Sequence, residues 1–235
     1  VHAVVSVSHI AAGLLREAAC CRSLRPAVLP EIAAFASESK PSLRFVLNRN
    51  DAARLDVAAT GLGLVARTKR IYLAPKGNGW NEIVPHPTKT SQDLIVITHD
   101  NGAEKLLDAE LTDSAEAGLL LGYPECCVRA ISRIAATSGQ WALHLLKGAD
   151  KPIDARLNRF AAEWGGIGLI GELFPCSLHC SAAARYAQSL YDSAITLGLH
   201  QLAEAAKSDA LAAVNVSTSG RISRAKTRGT VEFFW

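Results

Sequence analysis

Leu120-Leu121-Gly122-Tyr123-Pro124-Glu125-Cys126-Cys127-Val128-Arg129 is the stretch on which the reading of this chain turns. Gly122 closes one apolar helical piece and Pro124 opens the next, since proline suits a first helical position whose N–H has no partner anyway. A helix over residues 124–137 follows, and Glu125 in its first turn suits the positive end of the helix dipole. At helical spacing Cys127 shares an apolar stripe with Ile131 and Ile134, whereas Cys126 shares the adjoining face with Arg129 and Arg133. A thiol at a helix N-terminus beside arginines has its thiolate favoured. The two adjacent thiols are therefore expected to be unequal, Cys127 facing inward and Cys126 facing the arginines.

A second cluster repeats the device at Phe174-Pro175-Cys176-Ser177-Leu178-His179-Cys180. Read as the start of a helix over 176–197, it sets Cys176 and Cys180 at i,i+4 on one face, with His179 beside them. Gly165, Gly166, Gly168 and Gly171 just upstream would let that segment start close to another backbone. Four of the six cysteines lie in these two clusters, and they are expected to meet. The expected ligand set is Cys126, Cys127, Cys176 and Cys180, holding an iron–sulfur cluster or zinc, which ligand type alone does not separate. Adjacent cysteines seldom serve one ion together, so a ligand and a reactive thiol is the alternative division of Cys126 and Cys127.

Three function classes follow. The first is a metalloenzyme with redox, Lewis-acid or sulfur-handling chemistry between two helix N-termini. There Cys126 would react, Tyr123, Glu125 and His179 would move protons, and Arg129 and Arg133 would hold an anionic small-molecule or peptide substrate. The second is a metal-free thiol enzyme with Cys126 as the attacking thiolate. The third is a non-catalytic binding protein whose zinc only braces the fold. The plainer readings of the flanking residues are a packed aromatic for Tyr123, a dipole carboxylate for Glu125 and a solvent-facing ring for His179.

The run Gly122 to Val128 (G-Y-P-E-C-C-V), followed by Pro175 to Cys180 (P-C-x-x-H-C), resembles an uncharacterised, mainly archaeal family marked by a G-Y-P-x-C-C-V motif and a downstream cysteine pair. The resemblance is clear at these two motifs. It implies that Tyr123, Pro124, Cys126, Cys127, Cys176 and Cys180 are that family's motif positions. The family brings no reaction and no substrate.

Outward from the motif, the patterning predicts an α+β chain. Helices are expected over 9–21, 30–37 and 51–59, and strands over 43–47, 65–73, 80–84 and 93–98. A hairpin turn falls at Lys76-Gly77-Asn78-Gly79. Asp93-Leu94-Ile95-Val96-Ile97-Thr98 is the cleanest strand, its unbroken apolar run suiting a buried position. Helical patterning then covers 103–110, 114–121, 124–137, 140–147, 153–164, 176–197 and 199–214. The C-terminal Thr230 to Trp235 reads as a strand returning to the first sheet. The expected organisation is a small N-terminal α/β section with a mixed sheet over 1–100 and a mainly helical cysteine-bearing section over 101–235, packed as one compact unit or two lobes.

Composition narrows the classes. With 49% hydrophobic and 20% charged residues the chain reads as soluble and globular, not disordered. A net charge of +3 is too mild to mark nucleic acid or an anionic membrane as partner. The basic stretch Arg221, Arg224, Lys226, Arg228 reads as a solvated connector. Without a spanning helix or a secretory signal, a cytoplasmic location is expected, where clustered cysteines bind metal or do redox work more often than they form disulfides. Cys20 and Cys21 read as small hydrophobes at a helix end. Phe233-Phe234-Trp235 suits either a buried strand or a self-association surface that would make a homo-oligomer.

Overall fold

The protein is described by a computed structural model over residues 7–75, 81–135, 141–146, 152–218, 221–226 and 232–235, with the backbone alone over 132–135. In chain order the elements are α1 (Val7–Cys20), α2 (Leu29–Ala36), β1 (Ser42–Leu47), α3 (Arg49–Gly61), β2 (Val65–Pro75), β3 (Asn81–Val84), β4 (Thr90–Thr98), α4 (Ala103–Thr112) and α5 (Ser114–Leu120). After the motif come α6 (Glu125–Ala135), α7 (Trp141–Leu146), β5 (Ile153–Asp154), α8 (Ser181–Thr196), α9 (His200–Ala210), β6 (Val214–Val216), β7 (Ile222–Arg224) and β8 (Phe233–Phe234). This is the α+β architecture that the patterning predicts. The expected hairpin turn at 76–79 lies outside the described residues.

The described residues divide into two compact units, one gathering 7–24, 31–74 and 81–122, the other 25–30, 75 and 123 onward. In the first, the sheet runs in the order β1-β4-β2-β3, and β4 pairs antiparallel with both β1 and β2. The expected mixed sheet is thus antiparallel at these pairings. Leu94, Ile95, Val96 and Ile97 of the central β4 are all buried, as its unbroken apolar run requires, with α3 and α4 packed against it. The Asn48 side chain caps α3 by accepting the Asp51 N–H at 2.9 Å. Asp51 in turn accepts from the Ser23 backbone N–H and hydroxyl at 2.8 and 2.6 Å, which ties the end of α1 to the start of α3.

At the far end of this unit, Lys40-Pro41-Ser42 clamps the exit of α5. Ser42 Oγ donates to the Leu120 carbonyl at 2.7 Å and the buried Lys40 ammonium to that of Leu121, so two carbonyls orphaned by the helix end are satisfied. Gly122 follows at φ +78°, and a Cβ there would stand 2.7 Å from Pro41 Cδ. Only glycine fits both the left-handed backbone and the close approach.

Outside the cysteine clusters, the second unit departs from the patterning in three places among the described residues. Residues 153–164 do not form one helix: β5 is followed by two 3₁₀ turns, Ala155–Leu157 and Arg159–Trp164. Asp154 and Asn158 divert the chain. The Asp154 side chain accepts the Arg156 N–H at 2.9 Å, and Asn158 Nδ2 donates to Ala210 O at 2.8 Å. Such side-chain bonds compete with a continuous helical ladder. The C-terminal strand returns to β5, not to the first sheet, pairing Ile153 with Phe233 in parallel. Phe233 is buried there against Phe160, which supplies the apolar partner a half-polar sheet edge would not. Finally, helix α9 ends at Ala210, and Val214–Val216 pairs antiparallel with Ile222–Arg224, part of the stretch expected as a connector. Val214 is buried in this pairing, while Asn215, Ser223 and Arg224 face solvent.

Candidate metal centre

The centre lies wholly within the second unit. The Pro124 carbonyl accepts the N–H of Val128 at 3.0 Å, so α6 starts immediately after the proline and Cys126 and Cys127 occupy its first turn. Helical geometry then makes them unequal. Cys127 is 1% exposed and belongs to the core with Ala130, Leu145 and Leu178, while Cys126 is exposed.

The second cluster reaches the site by a different route from the one its spacing suggests. Residues 176–180 are not helical: the Cys180 N–H bonds to Ser177 O at 3.3 Å in a turn, and α8 starts only at Ser181. Cys180 is the N-cap of α8, with an extended backbone and its Sγ accepting the Ala183 N–H at 3.4 Å. Sulfur takes the role that a serine or aspartate oxygen usually fills. Leu178, 1% exposed, plugs into the core between the two cysteines and fixes the turn that a helix would have carried past.

These two segments bring Cys126, Cys127, Cys176 and Cys180 together, all four sulfurs lying within 4.8 Å of one another. Cys126 Sγ lies 3.9 Å from Cys127 Sγ and 3.6 Å from Cys180 Sγ, and Cys127 Sγ lies 3.7 Å from Cys180 Sγ. A zinc–thiolate bond of about 2.3 Å gives a regular tetrahedron an S···S edge of about 3.8 Å. Both adjacent cysteines lie within the cluster. The arrangement could bind a metal ion.

Its electrostatics disfavour several bare thiolates at once. Burial pushes the Cys127 thiol far above its ordinary range, although the Cys176 N–H donates to its sulfur at 3.4 Å. Burial likewise pushes Cys176 up to about 11, with Cys180 adding to the effect. For Cys180 burial again raises the value, but the Ala183 N–H and the neighbouring thiols outweigh it and hold the group below its ordinary range. Each thiolate formed here opposes the next. A divalent ion at their centre reverses that preference.

Glu125 and Arg129 pair with each other across one helical turn, both well exposed. Tyr123 is half-buried and meets the Tyr186 ring edge-on at 5.6 Å. His179 is exposed and is not among the residues whose ligand atoms gather. The Arg133 side chain lies outside the described residues. Elsewhere, Cys21 is buried and donates to Glu17 O at 3.2 Å, behaving as the small hydrophobe its position suggests, while Cys20 is exposed.

Sequence reasoning passes over Arg159. Its side chain is 1% exposed, 3.8 Å from Glu163 and 3.9 Å from Glu172, and its guanidinium lies 4.5 Å over the Phe174 ring. Phe174 leads directly into Pro175 and Cys176, so this buried cation supports the approach to the second cluster. A lone arginine at helical spacing gives no sign of such burial.

Among the described residues no helix is long and apolar enough to cross a membrane. Comparison with protein-family models, with curated proteins and with solved structures finds no match for the chain.

Proposed function

We propose that Cys126, Cys127, Cys176 and Cys180 hold a single zinc ion in an all-thiolate tetrahedral centre that ties the first turn of α6 to the start of α8. The observation that carries this reading is the set of S···S separations among Cys126, Cys127 and Cys180, 3.6, 3.7 and 3.9 Å, with the Cys176 sulfur within 4.8 Å of all three, against an edge of about 3.8 Å for one zinc among four thiolates. An iron–sulfur cluster interposes several irons and sulfides between its cysteines and spreads them further than one ion does. With four thiolates engaged, the ion has no open position for a substrate, which favours a brace over Lewis-acid catalysis. The resemblance at Gly122–Val128 and Pro175–Cys180 supports the reading, since it marks the same four cysteines.

Metal analysis of protein purified without added metal, aerobically and anaerobically, tests it. Colourless protein with stoichiometric zinc is the expected result. A brown protein carrying several irons and acid-labile sulfide overturns the single-ion reading, and protein that takes up no added zinc overturns the metal reading altogether.

A further inference from the structure

The four sulfurs differ in reach. Cys126 is exposed and Cys180 is half-buried, whereas Cys127 lies in the core. The exposed Cys126 Sγ and the half-buried Cys180 Sγ stand 3.6 Å apart and come from segments separated by 54 positions; Cys176 is half-buried as well. We infer that Cys126 and Cys180 form an oxidation site at which hydrogen peroxide closes a disulfide and opens the metal centre; the release of metal rests on the zinc reading above, the pairing on geometry alone.

Cys126 Sγ attacks one peroxide oxygen, the O–O bond breaks, and the leaving hydroxide takes a proton to become water. Cys126 is left as a sulfenic acid. Cys180 Sγ then attacks the Cys126 sulfur, the S–S bond forms, the S–O bond breaks, and the second hydroxide takes a proton. Two thiolates have lost two electrons to the peroxide, and two water molecules are formed. The metal loses two of its ligands in the same event, and a thiol reductant reverses the step.

Cys180 is the resolving partner on positional grounds. Cys127 is the rival, but it neighbours Cys126 in a helical turn, where a vicinal disulfide would close an eight-membered ring and force the peptide bond between them from planarity. Cys180 sits on a separate segment in an extended N-cap conformation, its Sγ 3.6 Å from that of Cys126, so their disulfide carries no such ring strain.

The test uses the zinc-loaded protein with Cys20→Ser, which removes the exposed thiol outside the centre. Hydrogen peroxide is added stepwise, freed zinc is read with a chromophoric chelator, and remaining thiols are blocked before peptide mass spectrometry. The expected result is a Cys126–Cys180 cross-linked peptide rising in parallel with freed zinc, and return of both to the starting state with dithiothreitol and zinc. Cys126→Ser is expected to lose the cross-link. Zinc retained under peroxide, or a cross-link between any other pair, overturns the inference. Protein that binds no zinc refutes the zinc reading, and with it the coupled release; the peptide map of that protein still decides the pairing.

Discussion

Cys126 Sγ and Cys180 Sγ stand 3.6 Å apart although 54 positions separate them in the chain, and neither belongs to a helix shared with the other. The contact joins the first turn of α6 to the N-cap of α8. A bound ion at this point adds its binding free energy to the stability of the second unit, because the unfolded chain has no preformed site.

Removing a ligand should therefore unfold as well as demetallate. With about 10–16 kcal/mol for a structural zinc shared over four thiolates, each ligand is worth roughly 3 kcal/mol. Cys127→Ser also leaves a hydroxyl in an apolar core, so it should lose more than Cys126→Ser, whose position is solvated. A fall in melting temperature of about 10 °C or more for Cys127→Ser, with zinc content reduced in both variants, is the expected outcome. Equal melting temperatures with and without chelator would show that no metal braces the unit.

The inequality of the two adjacent thiols was legible because helical periodicity alone assigns Cys127 inward and Cys126 outward. The conformation of the second cluster was not, since its spacing fits a helix and nothing local announces that Leu178 will anchor a turn or that Cys180 sulfur will cap α8. The same limit applies at 153–164, where Ile153, Leu157, Phe160 and Ala161 follow helical spacing. There the decisive bonds of Asn158 run to Ala210 and Ala212, some fifty residues away. The central strand β4 was readable because burial on both faces leaves an apolar run with no alternation. Patterns within one element were visible, and the paired cysteine clusters announced their own meeting; the side-chain bonds made across long sequence separations were not.

Asp51 gives the first unit an acid-sensitive tie. Burial raises its carboxyl, but bonds from the Ser23 hydroxyl and N–H and from Asn48 Nδ2 outweigh this and hold it below the usual carboxylate value. A group depressed in the folded state stabilises above its unfolded value, about 4, and loses that contribution as pH falls through the lower folded value. Asp51→Asn should cost about 1–3 kcal/mol at pH 7. The difference from wild type should shrink when urea midpoints are compared near pH 3. A difference that stays constant across this range would refute the ionic origin.

Gly122 tests the clamp on α5. Alanine there meets both the left-handed backbone, worth roughly 1–2 kcal/mol, and the overlap of its Cβ with Pro41 Cδ. Gly122→Asn separates the two costs, because asparagine accepts a left-handed backbone more readily but carries the same Cβ. Thermal melting should rank wild type first, with asparagine close to alanine where the Pro41 contact dominates. Asparagine close to wild type would assign the cost to the backbone alone.

Arg159 is the buried charge on which the approach to Cys176 rests. Its guanidinium faces Glu163 and Glu172 and covers Phe174, whose ring meets Trp141 edge-on at 5.2 Å. Arg159→Met supplies a similar volume but leaves the two carboxylates without their cation; because Glu163 and Glu172 are 36% and 19% exposed, the loss is about 1–3 kcal/mol. Adding Glu163→Gln and Glu172→Gln removes the uncompensated charge and should return most of the loss, as read by urea unfolding. Because Phe174 leads into Pro175 and Cys176, the single variant should also release zinc to a chelator faster than wild type, and the triple variant should recover. If the triple variant is as unstable as the single one, packing of the guanidinium on Phe174 outweighs its charge. Arg159→Lys then decides the point, since it keeps the charge and gives up the planar stack.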